Sequence, residues 1–189
     1  MEPSAVLTIG IGAVLFVVLW VVLAYNALVR LRNHCVESWA DIDTELKRRH
    51  DLVPNLVETV KGYAAHERGV FERVAQARSA AQGAHTSPSA QARDENALIG
   101  GLRQLMVVAE AYPDLKANQN FLSLQQELAN TEDRIQRARR FYNANVRDLN
   151  TRIEVIPSSL IANWFKFQKR EYFEIDDATA RQTPSVKLG

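Results

Sequence analysis

The chain has 189 residues, with 23 Lys and Arg against 22 Asp and Glu, so its net charge at neutral pH is +1. One domain is enough for this length, and the near-zero net charge argues against a strongly basic nucleic-acid binder. We therefore expect no nucleic-acid partner. The single cysteine, Cys35, can form no intramolecular disulfide, which fits a reducing compartment.

The N-terminal segment carries no formal charge from residue 5 to residue 29. Thirteen of residues 5–24 are Val, Leu, Ile or Phe, and together they favour membrane insertion by about 4 to 8 kcal/mol. A helix of this length spans about 30 Å, the thickness of the hydrocarbon core. We predict an uncleaved signal-anchor transmembrane helix within residues 1–29. A cleaved signal peptide is the alternative, but no Lys or Arg precedes the apolar run.

Basic residues flank this segment on its C-terminal side and not on its N-terminal side. They are Arg30, Arg32, Lys47, Arg48 and Arg49. Because basic flanking residues stay in the cytoplasm, the rest of the chain should be cytoplasmic, with a short N-terminus outside. The pattern predicts a single-pass protein of the cytoplasmic membrane, with the lipid bilayer as a partner.

Helical spacing of apolar residues continues directly out of this segment. The first stripe is Leu28, Leu31, Cys35, Trp39, Ile42 and Leu46. It predicts one rod that joins the transmembrane helix to the first cytoplasmic helix, up to about residue 50, with Cys35 buried. Pro54 follows, and we expect it to break the helix, with a kink as the alternative.

Three more helices follow from the same spacing. The second fades by residue 81 and is followed by a loop at 82–89, in which Ser87 should cap a helix that begins with Pro88. Gly100-Gly101 disfavours the third helix by about 2 kcal/mol relative to alanine. A break at residues 112–114 precedes the last helix, with Asn118 as its cap. The fold class predicted is all-α, an N-terminal transmembrane helix continuing into an antiparallel bundle of about four long helices over residues 30–155.

The C-terminal part of this bundle should return to the membrane. With turns at both Pro54 and Pro113, or with kinks at both, Ile153 ends near the bilayer that the first helix leaves. Residues 156–174 then form an amphipathic segment, in which Ser158 or Ser159 caps a short helix. Its candidate membrane-interface residues are Trp164, Phe165 and Phe167, with Lys166, Lys169 and Arg170 meeting anionic headgroups. The alternative is that these aromatic residues close the end of the bundle. We expect disorder over residues 175–189.

Long motifs in this order identify a family resemblance. They include Tyr25-Asn26, Trp39-Ala40-Asp41-Ile42-Asp43, Arg49-His50-Asp51-Leu52-Val53-Pro54-Asn55-Leu56, Glu110-Ala111-Tyr112-Pro113-Asp114-Leu115-Lys116 and Tyr142-Asn143. From residue 25 to about 173 the chain resembles the LemA family of bacterial membrane proteins. It departs at Leu149-Asn150, where the family tends to repeat Tyr-Asn, and at residues 164–167, where a glycine is common. The resemblance implies an N-terminal anchor and a cytoplasmic helical bundle, and no established reaction, cofactor or substrate.

The sequence offers no catalytic, cofactor or metal constellation. His66-Glu67 lacks the second histidine that a zinc-protease helix needs, because position 70 is valine. An enzymatic hypothesis requires His66, Glu67 and Glu110 to meet in the bundle core. The basic run Lys47, Arg48 and Arg49 is a candidate patch for anionic lipid or a partner, with a solvated helix end as the alternative.

We therefore predict a non-enzymatic scaffold or assembly module that is anchored in the bacterial cytoplasmic membrane. Protein partners or a homo-oligomer are expected with it. The alternative is an accessory or regulatory subunit of a membrane protease or transporter.

Overall fold

The computed structural model describes residues 3–175. Within them the chain forms helices and no strands. The helices are α1 (Pro3–Lys61), α2 (Arg68–Ala81), α3 (Pro88–Glu110), α4 (Pro113–Lys116), α5 (Gln119–Glu154) and α6 (Ser158–Trp164). The predicted all-α helical bundle with a long apolar N-terminal helix is confirmed.

α1 runs without interruption from the apolar N-terminal stretch into the bundle. It has 59 residues and is therefore about 90 Å long. Most apolar side chains between residues 9 and 23 lie exposed on the molecule's surface. In the described part of the chain, α1 is the one helix long and apolar enough to cross a membrane. The predicted single rod is confirmed.

Pro54 lies inside α1, so the predicted break at this residue is wrong. A proline has no amide hydrogen and leaves the carbonyl oxygen four residues earlier, here that of His50, without its helical donor. Arg78 of α2 donates its Nε–H to that oxygen across 2.7 Å. A tertiary hydrogen bond thus replaces the missing helical one, and the helix continues to Lys61.

The chain reverses direction at residues 62–67 instead, and α5 returns antiparallel to α1. Three side-chain contacts follow this pairing from the far end toward the apolar stretch. They join Tyr63 to Asn118 at 3.0 Å, Arg49 to Glu132 at 2.8 Å, and Ser38 to Asn145 at 3.2 Å. α2 runs back along α1 before α3 runs outward again, so the four long helices alternate in direction.

α2 and α3 form a second hairpin, joined by the loop that the sequence predicts. The Ser87 hydroxyl caps α3 by accepting a backbone hydrogen bond at 3.2 Å, and Pro88 occupies the first turn, both as predicted. The Gly100-Gly101 pair does not interrupt α3. A Cβ at Gly101 would lie 3.2 Å from a methyl group of Val74, so the missing side chain lets α2 and α3 approach closely.

The predicted break near Pro113 is present, because α4 makes a single turn between α3 and α5. Asn118 caps α5 as predicted, and its side-chain oxygen accepts the amide hydrogen of Phe121 at 3.1 Å. Two reversals at 62–67 and 111–118 therefore bracket the end of the bundle that lies far from the apolar stretch.

The bundle has two apolar cores. The core near the apolar stretch includes Ala24, Leu28, Cys35, Ile42, Tyr142, Leu149, Ile153 and Phe173. The far core includes Val53, Leu56, Val60, Phe71, Leu98, Leu105 and Leu115. Cys35 is fully buried, as its spacing predicts, and burial raises the pKa of its thiol.

The C-terminal segment returns to the start of the bundle, as predicted, because Ile153 and Leu28 share one core. The predicted ground is wrong, however, since the chain turns at Pro113 and not at Pro54, and the reversal at 62–67 supplies the second turn. Ser158 is the first residue of α6 and not its cap, since its hydroxyl donates to the carbonyl oxygen of Arg152 at 2.7 Å. Ile175 is 3% exposed and packs in the same core, so disorder beginning at that residue is wrong. Residues 176–189 lie outside the described residues.

We predict that Arg78 stabilises the protein through the oxygen that Pro54 leaves free. Arg78→Met should lower the free energy of unfolding by about 1–3 kcal/mol, because a buried acceptor loses its donor. In a Pro54→Ala background the loss should be smaller by about 1 kcal/mol or more, because alanine restores the helical donor. Urea unfolding of the full chain in mild detergent measures this coupling. Arg73→Met, at an exposed position of α2, is the control, and equal losses in both backgrounds would contradict the account.

Candidate functional site

The predicted membrane-interface residues lie at the end of the bundle next to the apolar stretch. Trp164 is 82% exposed at the C-terminus of α6. Phe165 and Phe167 instead face Tyr25 of α1, with ring centroids 4.7 Å and 5.8 Å away. Phe167 is half-buried against the core, so the packing alternative describes it, whereas Trp164 remains free to contact another surface.

Exposed apolar side chains continue along α6 and the turn before it. We call Ile156, Leu160 and Trp164 the apolar foot; their exposed fractions are 83%, 64% and 82%. Apolar side chains of this size are rarely exposed together on a soluble protein, and such groups mark contacts with lipid or with another protein. The apolar foot therefore extends the apolar surface of α1 onto the bundle itself.

A cavity of about 380 Å³ lies beside the apolar foot, between α1 and the chain that follows α6. We call it the basic pocket. It is lined by Tyr25, Arg32, Phe165, Lys166, Phe167, Gln168, Lys169 and Arg170. The Arg32 guanidinium lies over the ring of Phe167, 5.7 Å from its centroid, which fixes the cation against an apolar wall.

The cations of the basic pocket differ in their partners. Lys169 forms an ion pair with Glu154. Among residues 3–175, no carboxylate lies within ion-pair distance of Arg32, Lys166 or Arg170. Three of the pocket's four basic residues therefore lack a carboxylate partner in the described part of the chain.

The wall of the basic pocket is held in place by an extended segment that we call the C-terminal strap, residues 167–175. Two asparagines of α5, seven residues apart, each pair with the strap's backbone in both directions. Asn150 bonds the amide and carbonyl of Arg170, each at 2.9 Å, and Asn143 bonds those of Phe173 at 2.9 and 3.1 Å. The Tyr142 hydroxyl donates to the Glu171 carbonyl at 3.0 Å, and burial raises the pKa of Tyr142 to about 12.

An ionic cluster lies in the middle of the bundle, where α1, α3 and α5 meet. It consists of Arg49, His50, Gln91, Glu95 and Glu132. The guanidinium of Arg49 bonds Glu95 at 2.5 Å and Glu132 at 2.8 Å, and the other oxygen of Glu95 contacts the His50 ring at 3.0 Å. Gln91 donates to that same oxygen at 2.9 Å. Arg49 and Glu95 are fully buried, so this cluster joins three helices inside the protein.

The electrostatic balance of this cluster keeps Glu95 charged. Burial alone would raise the pKa of the Glu95 carboxyl. The hydrogen bond with His50, the charges of Arg49 and His50, and the hydrogen bond from Gln91 together lower that pKa below its ordinary value. The sequence carried a signal for this cluster, because Glu95 and Gln91 occupy the same helical stripe as Leu98, where an apolar residue is expected.

Arg49 does not belong to the basic patch predicted at residues 47–49, because it is buried in the ionic cluster. Lys47 and Arg48 remain accessible, about 27 Å along α1 from Val29. Contact of Lys47 and Arg48 with anionic lipid or a partner stays a prediction.

The residues of the enzymatic hypothesis do not meet in a core. His66 and Glu110 are exposed, and Glu67 is half-buried in the loop before α2. Across residues 3–175, no group of three His, Cys, Asp or Glu side chains is placed to hold a metal ion. The buried charged groups of the described bundle are those of the ionic cluster, and they bond to one another.

An interhelical groove of about 600 Å³ separates α3 from α5, next to the ionic cluster. Its lining is mostly apolar. The residues are Arg49, Ile99, Leu102, Arg103, Met106, Val107, Gln125, Leu128, Ala129, Glu132, Asp133 and Gln136. Val107 is 67% exposed, and Arg103 and Asp133 are exposed on opposite banks, one on each helix.

We predict that the paired asparagines hold the C-terminal strap closed. Each asparagine makes two hydrogen bonds to the strap, worth about 1 kcal/mol apiece. Asn143→Ala with Asn150→Ala should therefore raise the rate of trypsin cleavage at Lys169 and Arg170 by about tenfold or more. Asn130→Ala, at an exposed position of α5, serves as the control. Cleavage at the parent rate in the double variant would contradict this role.

We predict that Glu95 makes stability depend on pH in the acid range. Because the folded-state pKa lies below the unfolded value, the stabilisation is complete above about pH 4.5 and is lost as pH falls through the folded pKa. Glu95→Gln should lower the free energy of unfolding at pH 7 by about 3 kcal/mol and flatten its fall below pH 4.5. Urea unfolding between pH 3 and 7 measures both effects. Glu127→Gln, at an exposed position, is the control and should match the parent's free energy of unfolding at each pH. A Glu95→Gln variant that also matched the parent would contradict this role of the cluster.

Comparison with known proteins places the chain in a family. The model of the LemA family matches residues 38–188. Among similar proteins, magnetosome protein MamQ 2 of Paramagnetospirillum magneticum is 24% identical, over 96% of this chain and 75% of that protein. Magnetosome protein MamQ of Magnetospirillum gryphiswaldense is 23% identical, over 95% and 75%. Protein LemA of Metamycoplasma hominis is 26% identical, over 82% and 74%.

The match covers most of the chain, and the motifs quoted from the sequence lie largely within it. The long apolar α1 agrees with these relatives in indicating association with a membrane. This chain therefore belongs to the LemA family, as its motifs predicted.

Proposed function

We propose that this protein is a non-enzymatic scaffold, anchored by α1 in the bacterial cytoplasmic membrane with its bundle in the cytoplasm. The observation that carries the proposal is the continuity of α1, which passes from the exposed apolar stretch to Lys61 without a break. A bundle built on such a helix cannot swing on a flexible linker. It is held at a fixed height and direction above the lipid, as a platform for assembly requires.

The charge distribution supports this orientation. Arg30 and Arg32 follow the apolar stretch at once, whereas no Lys or Arg precedes it. Basic residues close to a span stay on the cytoplasmic side. The magnetosome proteins among the relatives agree with a part in a larger membrane-associated assembly.

Two features support a non-enzymatic role. The buried charges of the ionic cluster pair with one another across three helices, which is the arrangement of a structural network. His66 and Glu110, the residues that an active site would need, lie on the surface at the far end of the bundle.

The interhelical groove is the surface through which we propose that a second copy of this chain binds. A two-fold interface brings each bank of the groove against the opposite bank of the partner. Arg103 lies on one bank and Asp133 on the other, and among residues 3–175 neither forms an ion pair with a neighbour. The groove thus offers both signs of charge around exposed apolar side chains such as Val107, as a self-complementary surface does.

We predict that charge reversal on either bank weakens self-association and that reversal on both restores it. Arg103→Asp alone and Asp133→Arg alone should each lower the association constant about tenfold, because like charges then face each other across the interface. The combined variant should recover most of it. Size-exclusion chromatography with light scattering of the full chain in detergent measures the oligomer, and crosslinking of native membranes checks it.

Arg93→Asp, an exposed charge reversal elsewhere on α3, is the matched control and should leave the oligomer unchanged. A strictly monomeric parent with no crosslinked copy would overturn the scaffold. Stoichiometric co-purification of a membrane protease or transporter with such a monomer would favour the accessory-subunit alternative.

A further inference from the structure

We propose that the basic pocket binds the phosphate of an anionic glycerophospholipid headgroup. The inference rests on the membrane anchoring proposed above, and it adds a lipid ligand to that proposed function. The cavity of about 380 Å³ falls within the range of small-ligand sites. It is built by α1 and by the chain after α6, so a bound lipid would join the first and last parts of the bundle.

The height of the pocket along α1 matches the headgroup layer. The apolar run ends at Ala24, and the first charge after it is Arg30. The hydrocarbon therefore ends between Ala24 and Val29, with Tyr25 near its edge. At 1.5 Å per residue, Arg32 lies between about 4 and 12 Å beyond that end. The headgroup layer of a bilayer is about 5–8 Å thick on each side. The pocket therefore opens where lipid phosphates lie.

The chemistry of the pocket suits a phosphate. Arg32, Lys166 and Arg170 line it without an ion-pair partner among residues 3–175. The rings of Tyr25 and Phe167 add apolar walls beside these cations. A headgroup phosphate can therefore meet the cations while its glycerol lies against the rings. A guanidinium also offers two parallel donors to a phosphate.

Lys166 adds an independent indication, because its backbone adopts a conformation that favours glycine. Its φ is 56°, and it is the residue directly after the C-cap of α6, Phe165. The backbone bonds from Phe167 to Ala162 at 2.9 Å and from Lys166 to Asn163 at 3.2 Å are those of a Schellman motif, in which glycine is the usual residue at this position. A lysine here is disfavoured by its Cβ, yet it adds a basic residue to the lining of the pocket.

The apolar foot completes the arrangement. Leu160 and Trp164 are exposed on α6, directly before the pocket-lining residues in the chain. Trp is enriched at the lipid–water interface, where its ring contacts acyl chains and its N–H reaches water. A lipid whose phosphate occupies the pocket would lay its acyl chains against this foot and the apolar stretch of α1.

The test measures lipid binding to the full chain in detergent by native mass spectrometry. The probes are dioctanoyl phosphatidylglycerol, dioctanoyl phosphatidylcholine and inorganic phosphate. We expect the parent to bind the anionic lipid about tenfold more tightly than the zwitterionic lipid. Arg32→Gln with Lys166→Gln should lose about tenfold in affinity for the anionic lipid. Lys47→Gln with Arg48→Gln removes the same charge about 23 Å along α1 from Arg32 and should keep the parent affinity.

A single variant separates ligand binding from folding. Lys166→Gly should weaken binding of the anionic lipid several-fold while raising Tm, because it removes the cation and relieves the backbone. A residue with a structural role alone would not move these two readouts in opposite directions. Circular dichroism of each variant checks that the helical content is unchanged.

Equal affinity of the parent for both lipids would overturn the proposal, as would an equal loss in the control pair at residues 47 and 48. Displacement of the lipid by millimolar inorganic phosphate would also overturn it, and would assign the pocket to free phosphate. Lipid binding is measured on the monomer peak in the mass spectrum. A protein that fails to self-associate can therefore still be seen to bind lipid, so failure of this proposal is distinguishable from failure of the proposed scaffold.

Discussion

The hydrogen bond from Arg78 to the carbonyl oxygen of His50 lets α1 pass through Pro54 as one helix. A proline in mid-helix leaves an acceptor that must find a donor, and here the donor comes from the neighbouring α2. Because α1 is continuous, α5 can pack against it along the whole part of α1 that lies within the bundle. The ionic cluster lies at the same level of α1, so the part of the helix weakened by proline is also tied to α3 and α5 by the ion pairs of Arg49.

Apolar periodicity predicted most of this fold, because the long helices each bury one stripe of side chains. Local capping chemistry predicted the ends of α3 and α5 correctly, at Ser87 and Asn118. Pro54 was misassigned because the donor that rescues its helix is 24 residues away in sequence, and a local rule cannot include it. The reversal at 62–67 has no proline, so it gave a weaker signal than the one that Pro54 gave.

In the candidate sites, too, local sequence signals were predictive and contacts made by tertiary folding were not. The aromatic and basic composition of residues 164–170 indicated a membrane-facing segment, but not which rings would face Tyr25 and which would stay exposed. The basic run at residues 47–49 predicted that Arg49 is a surface cation. Its burial depends on carboxylates 46 and 83 residues later, Glu95 and Glu132. Charge partners brought together by tertiary folding are invisible to a reading of neighbouring residues.

The asparagines of α5 recognise the C-terminal strap through its peptide groups alone, as one strand of a sheet recognises the next. Asn143 and Asn150 contact amide hydrogens and carbonyl oxygens that every residue except proline provides. The hydrogen bonds that hold the strap therefore do not depend on the side chain at position 170, whereas the buried Phe173 ring is also required by the core. Substitutions at the exposed positions of the strap can change the surface it presents while its attachment stays intact.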